Sequence, residues 1–225
     1  ALVGENGAGK STLMNILTGQ ISMDEGEIFM EGEPLRLSTP EEALKKNIVL
    51  VPQELNLVAE ASAAENIFLG NELVKFGVID AKETQKRAKE ILKVLNVEID
   101  VTQPVKELSA AYQQLVSIAR ALAYTPKVLI LDEPTSVLTN VEAENLFQSM
   151  KELKQRGTAM VFITHHLDEV MQQADRITIM KDGKLVEEVP ASEITKDEMI
   201  TKMAGKQVQQ LKRVKRNCLL YTSDA

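Results

Sequence analysis

The segment Gly4-Glu5-Asn6-Gly7-Ala8-Gly9-Lys10-Ser11-Thr12 constrains this chain more than any other, because it fits G-x-x-x-x-G-K-[ST] without a mismatch. Glycines let the backbone turn tightly, so several amide N–H groups converge on one point. The helix that follows adds its positive N-terminal end. Together they make a cradle for nucleotide phosphates, in which Lys10 reaches the β- and γ-phosphates and Ser11 offers a hydroxyl to Mg²⁺. The plainer alternative is a Gly-rich turn that happens to end in Lys. Against it stand the apolar triplet Ala1-Leu2-Val3 before the loop and the helical spacing of Leu13, Ile16 and Leu17 after it, closed by Gly19.

The rest of the chain alternates in the same way. Short apolar runs bounded by turn residues predict strands at Ile28–Met30 and Ile48–Val51. The continuous run at residues 128–131 and that at Ala159–Ile163 predict strands buried on both faces. Helical periodicity predicts helices over residues 80–96, opened in the manner of a capping box by Asp80 and Glu83, over 109–124, and over Asn140–Gln155, closed by Gly157. Asp182-Gly183 between residues 177–180 and 185–189 predicts a hairpin. The stretch from about 60 to 106 reads as mainly helical, without β runs. Such alternation predicts an α/β fold with a mainly parallel sheet flanked by helices.

Val128-Leu129-Ile130-Leu131-Asp132-Glu133 ends a buried strand in two acids. The first can hold Mg²⁺, usually through water, and the second can polarise an attacking water. A solvated acidic turn is the alternative, weakened by the phosphate loop in the same chain. Adjacent Asp-Glu and the lack of an Asn-Lys-x-Asp motif argue against a guanine nucleotide. Net charge is -7, which argues against nucleic acid as the main partner. The single cysteine, Cys218, excludes an internal disulfide. No apolar run reaches the roughly 18 residues of a membrane span.

With the phosphate loop and the acid pair in place, the chain resembles the ATP-binding-cassette (ABC) ATPases. Gln53, after the strand Ile48–Val51, matches that family's Q-loop. Leu108-Ser109-Ala110-Ala111-Tyr112-Gln113-Gln114 stands where the family carries Leu-Ser-Gly-Gly-Gln, with alanines in place of both glycines and Tyr112 in place of Gln. His165 matches the switch histidine, whereas His166 reads as a loop residue. Ser136-Val137-Leu138-Thr139 lies at the D-loop, with Thr139 in place of Asp. The order of these motifs covers nearly the whole chain.

The resemblance implies an ATPase with the P-loop NTPase, ABC-type core. ATP would sit on Gly4, Glu5, Asn6, Gly7, Ala8, Gly9, Lys10, Ser11 and Thr12, and Mg²⁺ on Ser11, Gln53 and Asp132. Glu133, His165 and Gln53 would serve hydrolysis. Ser109, Ala110, Ala111 and Gln113 would face the γ-phosphate held by an opposite cassette. Alanine adds a Cβ where close backbone approach is needed, so the half-site holding the partner's ATP would be slow or silent. Ser109 is also placed to act as an N-cap, and both readings can hold.

Within the family the chain is similar to the first cassette of tandem ATPases serving bacterial monosaccharide importers of ribose, galactose and xylose type. That similarity rests on Gln53-Glu54-Leu55-Asn56-Leu57, Ala64-Glu65-Asn66-Ile67-Phe68-Leu69-Gly70, Pro134-Thr135-Ser136-Val137-Leu138-Thr139-Asn140 and Thr164-His165-His166-Leu167-Asp168-Glu169-Val170. It implies a second cassette, two membrane permease subunits, a sugar-binding protein met indirectly, and no nucleic acid. The place implied is the cytoplasmic face of the bacterial inner membrane. Expected domains are an ATP-binding core at 1–59 and 126–205, with a helical subdomain at 60–125. Residues 206–225 are expected to be linker and tail, and 217–225, without periodicity, to be non-native. Ala1-Leu2-Val3 is expected to be the end of a buried strand that begins upstream. Two other classes stay open: a soluble ABC ATPase acting on nucleic acid or ribosomes, and a cassette that binds ATP but hydrolyses it poorly.

Overall fold

A computed structural model describes residues 1–204. In chain order its elements are β1 (Leu2–Val3), α1 (Lys10–Leu17), β2 (Ile28–Met30), β3 (Glu33–Leu35), α2 (Pro40–Lys45), β4 (Ile48–Val51), α3 (Ala63–Phe68), β5 (Val74–Lys75), β6 (Val78–Ile79), α4 (Ala81–Val94), α5 (Ala110–Ala123), β7 (Val128–Asp132), α6 (Asn140–Gln155), β8 (Ala159–Ile163), α7 (Leu167–Gln173), β9 (Arg176–Lys181), β10 (Lys184–Pro190) and α8 (Lys196–Ala204). A six-stranded sheet has the order β10-β9-β1-β8-β7-β4, parallel throughout except for β10 on β9. The expected α/β fold with a mainly parallel sheet is therefore what forms. The linker and tail expected from 206 onward lie outside the described residues.

Alternation along the strands divides the core. Val49 and Val51 of β4, with Leu129 and Leu131 of β7, pack against Leu115, Ile118 and Leu122 of α5 and Leu146 and Phe147 of α6. Ile48 and Ile130, one residue out of phase, join Leu2, Ile163 and Met14 of α1 in a second cluster. A continuous apolar run thus serves both faces, because successive side chains point to opposite sides. Phe147 and Phe162 meet edge to face, centroids 5.8 Å apart.

Three expectations need correction. The stretch from 60 to 106 does hold strands: β5 and β6 pair as a small antiparallel hairpin. Two-residue strands are too short for alternation to register. Next, β8 is not buried along its length; Ala159 is exposed and Met160 and Val161 are half-buried. The cause is that β1 reaches β8 only at Leu2 opposite Ile163, so the start of β8 lacks a neighbour on that side. Finally, Asp80 does cap α4 by accepting from the Glu83 N–H at 3.1 Å. Glu83, however, turns to Arg87 at 2.9 Å instead of completing a box. Reciprocal capping boxes form at Ser62/Glu65 and Thr139/Glu142. The expected hairpin at Asp182-Gly183 is present, both residues having positive φ, as a type I′ turn requires.

Asn66, fully buried on α3, stitches the loop that follows Gln53. Its Oδ1 accepts from the Val58 N–H at 2.7 Å, and its Nδ2 donates to the carbonyls of Val58, Ala61 and Ser62 at 3.0, 3.2 and 3.0 Å. Asn66→Leu strands these buried groups and is expected to cost about 3 kcal/mol or more in urea unfolding. A loss under about 1 kcal/mol would show that the loop does not depend on this side chain.

Candidate nucleotide site

The phosphate loop and the metal and hydrolysis candidates lie at the carboxyl ends of parallel strands, whereas Ser109, Ala110, Ala111 and Gln113 lie at the start of α5. The phosphate loop follows β1, Gln53 follows β4, Asp132 ends β7 with Glu133 next, and His165 lies two residues after β8. Neighbouring strands hold these ends level, with Asp132 opposite Ile163 and Ile163 opposite Leu2. Open parallel sheets bind ligands just outside this edge.

The loop itself is shaped for an anion. Gly7 and Gly9 have φ of 82° and 98°, and a Cβ on Gly7 would meet nothing within 4 Å, so the hollow in front of it is open. Behind the loop there is no such room. A Cβ on Gly4 would come within 2.4 Å of the Met180 carbonyl oxygen, and the Gly183 N–H donates to Ala8 O at 3.1 Å. The β9–β10 hairpin thus braces the loop from behind. Of the amides from Gly7 to Thr12, only that of Ala8 donates to an acceptor among the described residues. Those of Gly7, Gly9, Lys10, Ser11 and Thr12 are left for a ligand. Lys10 Nζ donates to Gly4 O at 2.8 Å and Glu5 O at 3.1 Å, which folds the ammonium over the loop.

Opposite the loop, burial pushes the Asp132 carboxyl above its ordinary value, neighbouring Glu133 adds to the rise, and Lys10 partly offsets it. Glu133 sits at φ 50°, a left-handed conformation uncommon outside glycine, fixed by its N–H donating to Ile163 O at 2.9 Å. Nδ1 of His165 lies 2.7 Å from Oε2 of Glu133, yet the two are not aligned as a hydrogen bond. That buried oxygen has no hydrogen-bond partner among the described residues. His165 also lies against His166, centroids 4.1 Å apart with the rings tilted by 39°, and His166 precedes α7 at its N-cap.

Among the described residues no group of three or more His, Cys, Asp or Glu side chains could hold a metal. One half-buried carboxylate with its pKa pushed up, an exposed Ser11 hydroxyl and an adjoining phosphate cradle do suit Mg²⁺, which uses few protein ligands and keeps substrate oxygens and waters. Gln53 is exposed and its side chain makes no hydrogen bond among the described residues.

The Asp132 shift has a consequence for stability. A carboxyl whose folded pKa is raised loses stability as pH climbs from its ordinary value of 3.8 through the raised one, and the loss persists above it. Asp132→Asn removes that penalty. It is expected to raise the nucleotide-free thermal midpoint modestly at pH 7, with the gain shrinking to nothing as pH falls toward 3.8. Scans at several pH values check this, and a gain that does not change with pH contradicts it.

The Ser109 segment is organised around its own helix. Ser109 Oγ accepts from the Tyr112 N–H at 3.3 Å as the N-cap of α5. Gln113 donates to Val105 O at 3.2 Å and Leu108 O at 3.0 Å, which holds the preceding turn. Ala110 is exposed and Ala111 is buried. Thr139, in the expected D-loop, caps α6.

Three supporting residues escaped the sequence reading. The hydroxyls of Thr135 and Thr164, both buried, donate to Glu169 Oε2 at 2.9 and 3.4 Å, and Thr164 Oγ1 accepts from the His166 N–H at 3.0 Å. They tie the loop carrying Glu133 to the loop carrying His165. The available signal was a threonine within three residues of the end of each strand, Thr135 after β7 and Thr164 after β8.

Comparison with known proteins agrees with this geometry. A family profile described as "ABC transporter" matches residues 1–136. A ribose import ATP-binding protein of Rhodopirellula baltica is 46% identical over 213 residues, covering 94% of this chain and 42% of its own length. A putative ribose/galactose/methyl galactoside import ATP-binding protein of Agrobacterium fabrum is 43% identical, covering 94% of this chain and 41% of its own length. The chain therefore spans about two fifths of the curated relatives it matches. Among solved structures, a dimeric post-hydrolysis cassette bound to ADP and Pi superposes with a TM-score of 0.73 at 30% identity, covering 84% of each chain. A second transporter cassette superposes with a TM-score of 0.78 at 29% identity, covering 91% of this chain and 85% of its own.

Proposed function

Because the chain belongs to the ABC transporter family, we propose that it binds and hydrolyses ATP to energise import of a monosaccharide. The observation that carries the reading is the convergence of four separate segments at one sheet edge, around a loop whose free amides and Lys10 suit phosphate. In this reading residues 4–12 hold the phosphates. Ser11, Asp132 and Gln53 hold Mg²⁺, which neutralises charge on the phosphate oxygens. Glu133 accepts a proton from the attacking water, its main chain held at the strand end by the N–H bond to Ile163 O. His165 lies against Glu133 and faces the same space.

The relatives named for ribose and galactose import give the substrate class. The remaining partners follow from that reading: a second cassette, two permease subunits and, indirectly, a sugar-binding protein. Among the described residues no helix is long and apolar enough to cross a membrane. The import role named for the relatives supports a peripheral place at the cytoplasmic face of the inner membrane. Two cassettes closing on ATP, each offering Ser109 to the other's phosphate, would shift the pair toward a closed state. Deleting the gene should abolish uptake of ribose, galactose or xylose by the source cells. Undiminished uptake of all three would remove the sugar reading while leaving the nucleotide site untouched.

A second reading is favoured by Ala110 and Ala111: tight ATP binding with slow turnover. Restoring glycine at both positions should then raise turnover without changing ATP affinity.

A further inference from the structure

The hairpin of β5 and β6 presents an apolar tip to solvent. Phe76 is 96% exposed, and Val74, Val78 and Ile79 are each more than half exposed. Phe76 takes φ 52° and Gly77 φ 80° in the two-residue turn. A bulky aromatic is disfavoured in that left-handed conformation, where Asn or Gly is usual. The backbone therefore holds Phe76 outward at a cost in strain, and Lys75 Nζ lies 6.0 Å from the ring centroid.

Directly after the hairpin runs α4, whose charge opposes that of the chain. Net charge overall is -7, yet α4 carries five basic residues against two acidic ones. Lys82, Lys86, Lys89 and Lys93 follow at spacings of four, three and four residues, which gathers them into a stripe about 60° wide and about 16 Å long. All four are exposed and turned away from the buried Thr84, Ala88 and Leu92. Among the described residues Lys82, Lys89 and Lys93 form no ion pair, and Lys86 comes only within 4.0 Å of Glu83. Toward its far end the stripe borders a groove of about 550 Å³ lined by Lys89, Lys93, Val97 and Ile99, with Glu98.

We propose that this apolar tip and lysine stripe form a surface that binds an anionic lipid bilayer directly. An apolar tip followed in the chain by a lysine stripe, three of whose four members form no ion pair among the described residues, is the pairing that suits an interface of headgroups and acyl chains. Charge complementarity selects lipid over a permease, since cytoplasmic loops of membrane proteins are themselves rich in Lys and Arg. It selects lipid over nucleic acid too, because α4 holds no aromatic among its lysines and the one ring at the tip, Phe76, is flanked by exposed Val74, Val78 and Ile79 and not by further rings for base stacking. The proposal goes beyond the ATPase reading and does not depend on it: none of these residues lies in the nucleotide site.

The test is sedimentation of the 225-residue chain with vesicles of phosphatidylcholine alone or mixed with phosphatidylglycerol. Binding is expected only to the anionic vesicles, and it should weaken as salt rises. Phe76→Ser should lower partitioning about tenfold. Lys86→Ala with Lys89→Ala should lower it about twenty-five-fold, at about fivefold per lysine. ATP affinity should stay unchanged in both variants, which also reports that they are folded. Absent binding to anionic vesicles, equal binding to neutral ones, or binding unaffected by both variants overturns the proposal. RNA binding without vesicle binding overturns it in favour of a nucleic-acid surface. Capture of detergent-purified permease without vesicle binding overturns it in favour of a protein contact. Vesicle binding by a chain that fails to bind ATP leaves it standing and counts against the ATPase reading alone.

Discussion

Replacing Lys10 with alanine lowers ATP affinity by about a hundredfold or more in a calorimetric titration, while the chain stays folded. Two charge-assisted contacts to phosphate oxygens are lost, each worth about 1.5–3 kcal/mol. Without nucleotide the same ammonium donates to Gly4 O and Glu5 O, so the side chain also braces the loop it serves. The backbone amides that face the ligand do not depend on it, and residual weak binding through them is expected. A nucleotide-free melting scan separates the two roles. A fall in affinity without a large fall in the melting midpoint assigns the loss to phosphate contact. Unchanged affinity would remove residues 4–12 as the phosphate site.

Glu133→Gln should cut ATP turnover by about 10²–10⁴-fold with little change in ATP affinity, the signature of losing a base and not a binding contact. Glutamine keeps the shape of the side chain, and the backbone conformation at φ 50° is held by the bond to Ile163 O, so the site should remain assembled. ATP-bound dimers should then accumulate and be visible by size-exclusion chromatography with ATP and Mg²⁺. The substitution also removes a negative charge beside Asp132, whose carboxyl Glu133 helps push upward. Single-turnover quench measurements give the rate directly. Turnover at the wild-type rate would show that another group takes the proton.

Parts of the molecule could be read residue by residue. The helix Asn140–Gln155 and the strand Ala159–Ile163 begin and end where periodicity placed them. The helix rests on apolar residues recurring at helical spacing over 16 positions and the strand on five consecutive apolar residues. What escaped notice was short or non-local. The strands β3, β5 and β6 hold two or three residues each, too few to show a period. The capping boxes at Ser62 and Thr139 carry a legible local signal, a hydroxyl followed three residues later by Glu65 or Glu142.

The candidate site divides in the same way. A glycine-rich loop ending in Lys10 and Ser11, and a strand ending in Asp132 and Glu133, carry their chemistry in consecutive residues, so the sequence by itself determined that a phosphate cradle and an acid pair would form. It could not place the hairpin turn behind Gly4, the Glu169 carboxylate that joins Thr135 to Thr164, or the distance from His165 to Glu133. Nor could it show that Gln113 turns inward to hold the turn before α5. The contacts of Gly4 with the hairpin, Thr135 with Glu169 and His165 with Glu133 join residues tens or more than a hundred positions apart. Only the strand order β4-β7-β8-β1-β9 decides which carboxyl ends lie side by side, because packing of the two core faces, not local preference, sets that order.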